Sequence, residues 1–170
     1  MRVFPAAVGT TVFALIPATV AGVIPRYLSA WEMQGPFGRG WPLRLLGALL
    51  IAAGVAVLAT TFVRFVVEGF GTPAPVAPTS ELVVGGLYRY VRNPMYLAVV
   101  TTIFGQSLFL GRPDLAVYAT VAWVVMAAFA AWYEKPALTR QFGSAYVEYR
   151  RAVPAWLPRR PRNVDRRPMR

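Results

Sequence analysis

Polar chemistry in this chain is concentrated between Gly85 and Tyr96, GGLYRYVRNPMY, where two glycines, three tyrosines, two arginines and an Asn-Pro step stand directly before an apolar run. Asn93 followed by Pro94 reads as an N-cap and first helical residue, because Pro has no N–H to lose and its fixed φ suits a first turn. A helix starting there presents unpaired N–H groups and a partial positive charge beside Arg92, which together favour an anion such as a carboxylate. The same residues could equally do no more than start a helix and mark its cytoplasmic side. A second ionisable group, Glu134, ends another apolar run, on a face that carries Ala127, Ala130 and Ala131. A small-residue face packs against other helices, which would turn Glu134 into a bundle and make it a functional candidate. Placed just outside the lipid beside Lys135, it would instead be an ordinary solvated carboxylate.

Much other chemistry is excluded. The 170 residues include no Cys and no His, so thiolate or imidazole metal sites, Ser-His-Asp or Cys-His nucleophiles, disulfides and His-ligated haem have no residues to build them. No metal site is expected. Acid, base and electrostatic roles fall to seven acidic side chains, Glu32, Glu68, Glu81, Asp114, Glu134, Glu148 and Asp165, and to the arginines. The Gly85-Gly86 pair permits a tight turn or a close ligand approach. It fits neither dinucleotide nor Walker phosphate loops, and no parallel sheet could be built around it.

The elements that must position these groups are helices in a membrane. With 56% hydrophobic and 15% charged residues and a mean hydropathy of +0.47, the chain is too apolar for a soluble domain. Four uncharged runs, Val3 to Ile24, Leu45 to Val63, Pro94 to Gly111 and Leu115 to Tyr133, each approach the ~20 residues that a spanning helix needs. The first contains Pro5 and Pro17 and is longer than the apolar core of a cleavable signal, so a span is expected there. Pro25 to Arg44 reads as an interfacial loop anchored by Trp31 and Trp41. In the second span Ala48, Ala52, Ala56 and Thr60 recur at intervals of four, a stripe along which another helix could approach. Glu68 to Ser80, with Pro73, Pro75 and Pro78, reads as an extended loop. Gly111-Arg112-Pro113-Asp114 is so short a connection that the third and fourth spans must be antiparallel neighbours, with Asp114 expected as N-cap.

Beyond Glu134, Leu138, Phe142, Tyr146, Tyr149 and Val153 recur at helical spacing and predict an amphipathic helix at the interface or capping the bundle. The expected architecture is an all-α integral membrane protein of about four transmembrane helices plus this C-terminal amphipathic helix. Residues 1–158 form a single domain, with the motifs in 80–158, and 159–170 a disordered polybasic tail with six arginines, drawn to anionic membrane lipids. No folded basic module accompanies the charge, so no nucleic acid is expected as partner. From Lys135 onward there are ten basic and two acidic residues, which places the tail in the cytoplasm. With four spans both termini are cytoplasmic. The Gly85–Tyr96 stretch, Glu134 and the amphipathic helix then share one side of a cell membrane and can form one site.

The run from Leu82 to Tyr96, followed by Glu134-x-x-x-Leu138, Phe142-Gly143-x-x-Tyr146-x-x-Tyr149 and Val153-Pro154, resembles the isoprenylcysteine carboxyl methyltransferase family and its phospholipid methyltransferase relatives, in the manner of a bacterial-type member. The resemblance covers roughly Ser80 to Pro158. It implies a helical membrane enzyme using S-adenosylmethionine as cofactor, without a Rossmann fold. On this pattern Ser80, Glu81, Leu82, Val83, Tyr88, Asn93, Pro94, Met95, Tyr96 and Glu134 would contact the cofactor. Arg92 and Glu134 would be the catalytic residues, with Arg92 close to the reacting centre.

Three departures set the chain apart from the eukaryotic members. Asn93 stands where they have His, Lys135 replaces the second Glu of their Glu-Glu pair, and Ala130 replaces an Arg associated with substrate one turn before Glu134. The resemblance therefore implies a kept cofactor half and a changed acceptor half, with a lipophilic small molecule or lipid as acceptor and carboxyl O-methylation or a related O- or N-methylation as reaction. A sterol-reductase-like membrane oxidoreductase, or a non-catalytic membrane protein with a decayed pocket, are the alternative readings.

Overall fold

The computed structural model describes residues 15–34, 40–68 and 82–159, and among these every regular element is helical. In chain order they are α1 (residues 15–29), α2 (Trp41–Glu68), a 3-10 turn Gly86–Arg89, α3 (Pro94–Leu110), α4 (Pro113–Phe129), a π-helical turn Ala130–Glu134, and α5 (Lys135–Ala152), the last broken by a kink at Gly143 (φ 55, ψ −127) where the sequence predicts one continuous amphipathic helix. Two helices are long and apolar enough to cross a membrane, within Trp41–Val63 and Pro113–Ala152, and α3 is a shorter apolar helix. Only 17% and 11% of their apolar windows are buried inside the protein. Val117, Val121, Val125 and Trp132 stand outward at 55–81% exposure, as lipid-facing side chains do and a soluble core helix does not. The expected first span, Val3 to Ile24, lies largely outside the described residues, as do the Glu68–Ser80 loop beyond residue 68 and residues 160–170 of the tail.

The helix pair α2–α3 forms the closest packing. A Cβ on Gly47 would lie 2.6 Å from Gly105 O and Phe109 N, and one on Gly54 would lie 2.8 Å from Ala98 O. The two backbones touch where side chains are absent. Gly47, Gly54 and the buried Thr61 recur every seven residues and define the contact face. The alanine stripe expected from sequence is not that face, because Ala52, Ala56 and Thr60 are exposed. Uniformly apolar helices give no hydropathy contrast between faces, so close approach follows glycine position instead.

Two prolines shape the helices. Pro25 does not end α1, which continues to Ser29, contrary to the loop expected from Pro25. A proline within a helix removes one hydrogen bond and crowds the carbonyl four residues earlier. Here the π turn Thr19–Val23 ends two residues before Pro25. The crowded carbonyl, Ala21 O, accepts from Gln106 Nε2 at 2.6 Å, and Val20 O accepts from Tyr118 Oη at 2.9 Å. Neighbouring helices thus satisfy what the proline loosens. The π turn Ala130–Glu134 stands at the same spacing before Pro136.

At the opposite end of the bundle from Glu134, Gly111 closes α3 in the left-handed region (φ 70), and Arg112, not Asp114, is the N-cap of α4. Asp114 falls in the first turn because Pro113 takes the first helical position. Arg112 pairs with Asp114 at 2.7 Å and donates to Leu28 O and Ser29 O, tying the α3–α4 hairpin to the end of α1. Between these ends Ala21, Val99, Ile103 and Ala119 form the buried core.

Candidate active site

Asn93 is the N-cap and Pro94 the first residue of α3, as the sequence predicts. The Asn93 side chain makes no capping hydrogen bond. Leu97 N–H takes Asn93 O, so the N–H groups of Met95 and Tyr96 are left to the helix end, since the first-turn amides have no intrahelical acceptor. Immediately before them, Arg92 Nε is buried and has no hydrogen-bond partner among the described residues. A buried guanidinium nitrogen without a partner is costly and calls for an acceptor. These are the features of an anion site at a helix N-terminus.

The chain approaches this point through a tight turn. Gly86 sits at φ 56 and opens the 3-10 turn, so Tyr88 is turned inward and buried while Arg89 and Tyr90 face outward. Burial, followed by the nearby Tyr149 and Glu134, pushes the Tyr88 phenol well above its usual range, so it stays neutral. Tyr149 Oη, from the amphipathic stripe of α5, donates to Tyr88 O at 2.8 Å. The chain after α5 returns to the same place, with Arg92 N–H donating to Pro154 O at 2.9 Å and Arg159 N–H to Tyr90 O at 3.0 Å.

Glu134 joins the site from the other side. The π turn adds a residue to one turn of helix and so rotates the residues beyond it, a device frequent at functional positions. Glu134 ends that turn half-buried, and Tyr96 Oη donates to its Oε1 at 2.5 Å. Of the expected small-residue face, Ala127 and Ala130 are half-buried and Ala131 is exposed. Lys135 is exposed, and no ion pair to Glu134 forms among the described residues.

The structure thus gathers Tyr88, Arg92, Asn93, Tyr96 and Glu134 at one end of the helices. Pro94 and Met95 are buried residues of the first turn of α3. Leu82 and Val83 are half-buried in irregular chain, and Ser80 and Glu81 lie outside the described residues. Trp156 goes unpredicted: it stacks on Tyr96 at 6.4 Å between centroids and meets Trp123 edge-on at 5.9 Å. Its only sequence signal is an aromatic residue set between Pro154 and Pro158.

The family model for phospholipid methyltransferase matches residues 42–145. The chain belongs to the phospholipid methyltransferase family. Within it, 79 residues are 34% identical to protein-S-isoprenylcysteine O-methyltransferase B of Arabidopsis thaliana. That stretch covers 46% of this chain and 40% of the relative, so the match spans well under half of the curated protein's length. The expected resemblance to this family is therefore borne out. Family membership and the outward-facing apolar helices together place the chain in a membrane.

Proposed function

We propose that the protein is a membrane-embedded, S-adenosylmethionine-dependent methyltransferase acting on a lipophilic acceptor that reaches the site from the bilayer. The observation that carries this reading is the pairing of an open anion site with an uncompensated carboxylate. Arg92 Nε is buried without a partner beside the uncapped start of α3, and Glu134, held by Tyr96, has no cation of its own among the described residues. S-Adenosylmethionine is a zwitterion with a sulfonium, and it would supply an electrophilic methyl group. Its carboxylate suits Arg92 with the Met95 and Tyr96 N–H groups, and its ammonium or ribose hydroxyls suit Glu134. Tyr88, neutral and buried, and Asn93 complete the polar lining.

The protein's work in such a reaction is alignment and exclusion of water, because in-line attack on a sulfonium gains from positioning and preorganised charge. The short Tyr96–Glu134 hydrogen bond fixes the carboxylate, and the returning chain is held at the Tyr90–Arg92 turn through Pro154 O and Arg159 N–H. In this reading four spans leave both termini and the site on the cytoplasmic side, and the basic tail rests on anionic lipid. Calorimetry of the detergent-purified chain with S-adenosylhomocysteine and with NADPH tests it. Binding of the first alone is expected. Binding of NADPH alone would make the protein an oxidoreductase, and binding of neither would leave it without catalysis.

A further inference from the structure

Helices α3 and α4 leave their Gly111 turn in contact, and Ala122 and Met126 in the second half of α4 still pack toward the core. Buried residues run the whole length of α3, from Pro94 to Leu110, whereas in α4 they are Leu115 and Ala119, both in its first two turns. Toward its far end α4 shows Val121, Val124, Val125 and Phe129 to the outside. Between Tyr96 of α3 and Trp123 of α4 stands an indole from a distant part of the chain. Trp156 stacks on Tyr96, the hydrogen-bond partner of Glu134, and makes an edge-type contact with Trp123, which is 37% exposed at mid-length of α4.

The segment that carries Trp156 is anchored at both ends. Pro154 O accepts from Arg92 N–H, Arg159 N–H donates to Tyr90 O, and Val153 is buried. Between the anchors the chain makes an excursion whose tip is the indole. A line of three aromatic rings, Tyr96, Trp156 and Trp123, therefore leads from the carboxylate of the site to the lipid-facing surface of α4. Aromatic faces of this kind offer apolar contact area at low entropic cost. In a hydrophobic passage one methylene more or less changes selectivity by roughly 10- to 200-fold.

Resting on the methyltransferase reading, we propose that Trp156 sets which apolar chains reach the reacting centre, by standing between Tyr96 of the site and Trp123 on the exposed face of α4. It acts on the acceptor's apolar part. A slender or flexible chain lies along the indole, and a bulky branched one is kept out by it.

Three measurements on the full chain in vesicles test this. The emission of Trp156, taken as parent minus Trp156→Phe, is expected to be quenched by dibrominated phosphatidylcholine and spared by acrylamide. The reverse pattern would put the indole in water and overturn the proposal. Trp156→Ala is expected to bind S-adenosylhomocysteine within about two-fold of the parent, and loss of that binding would make Trp156 a wall of the cofactor pocket instead. With N-acetyl-S-farnesylcysteine as a bulky probe, Trp156→Ala should gain at least ten-fold in kcat/KM, chiefly through KM, and Trp156→Phe should fall between. No gain over the parent would overturn the proposal. A parent that binds no S-adenosylhomocysteine sinks the methyltransferase reading itself, while the quenching result still reports the indole's place.

Discussion

Tyr96 Oη donates a hydrogen bond to Glu134 Oε1 across 38 positions of sequence, joining the first turn of α3 to the end of the π turn after α4. A hydrogen bond to a charged group contributes about 1.5–3 kcal/mol. Tyr96→Phe should therefore weaken S-adenosylhomocysteine binding roughly ten- to a hundred-fold, and Glu134→Gln by a similar factor, both in proteins that remain helical and monodisperse. The double variant should lose little more than either single one, because both remove the same contact. Full additivity in calorimetry would mean that the two residues act apart.

Arg92→Ala should abolish or greatly weaken cofactor binding, since its buried Nε has no other acceptor among the described residues. Arg89→Ala, at an exposed position on the same turn, should leave it within about two-fold, the small effect usual for a solvated surface charge. Equal losses in the two variants would place the anion site elsewhere.

Gly47→Ala should destabilise the protein, because its Cβ would meet backbone atoms of Gly105 and Phe109 at 2.6 Å. Separating two closely packed helices costs on the order of 1–3 kcal/mol. Gly22→Ala, with nothing within 4 Å of the new Cβ, should be neutral or slightly stabilising, as alanine is favoured over glycine in helices. Thermal unfolding in detergent reads both. A lower Tm for Gly22→Ala than for Gly47→Ala would contradict the assigned contact face.

Topology is set by charge. With four spans, 14 of the 18 basic residues lie inside, leaving Arg26, Arg39, Arg44 and Arg112 outside, so both termini are expected in the cytoplasm. Reporter fusions at Arg170 and in the loop from Gly35 to Gly40 should report opposite sides. The same side for both would overturn the four-span arrangement.

The acceptor's nucleophile is open to a pH test. A carboxylate acceptor is already ionised throughout pH 6–8 and has no proton to lose, so its rate should be flat. An amine must first lose a proton, so its rate should climb over that range. Ala130 is half-buried one turn before Glu134. Ala130→Arg should help a carboxylate acceptor and hinder an ammonium-bearing one. A prenylated protein C-terminus should be a poor substrate of the parent.

Several of these features are legible in the sequence because they depend on local chemistry. Asn93-Pro94 can only begin a helix well, Gly111-Arg112 can only make a short reversal, and Glu134 stands on a face of small residues. The contact face of α2 is not legible, because in an evenly apolar helix alanine and glycine look alike until the partner backbone is present. Pro25 reads as a break, since a sequence does not show that Gln106 and Tyr118 will satisfy the carbonyls a proline loosens. The return of residues 153–159 to the Tyr90–Arg92 turn rests on backbone hydrogen bonds 62 and 69 positions apart, which leave no periodic trace. Trp156 escapes a reading of the sequence for that reason.

The central claim is methyl transfer to a lipophilic acceptor through the site that Arg92, Tyr96 and Glu134 form. It is tested most directly by supplying S-adenosylmethionine tritiated in its methyl group to native membranes containing the protein, and counting label extracted into organic solvent. Label should accumulate with the parent and fall at least ten-fold with Glu134→Gln at equal expression. Equal label with parent, Glu134→Gln and membranes lacking the protein would contradict it.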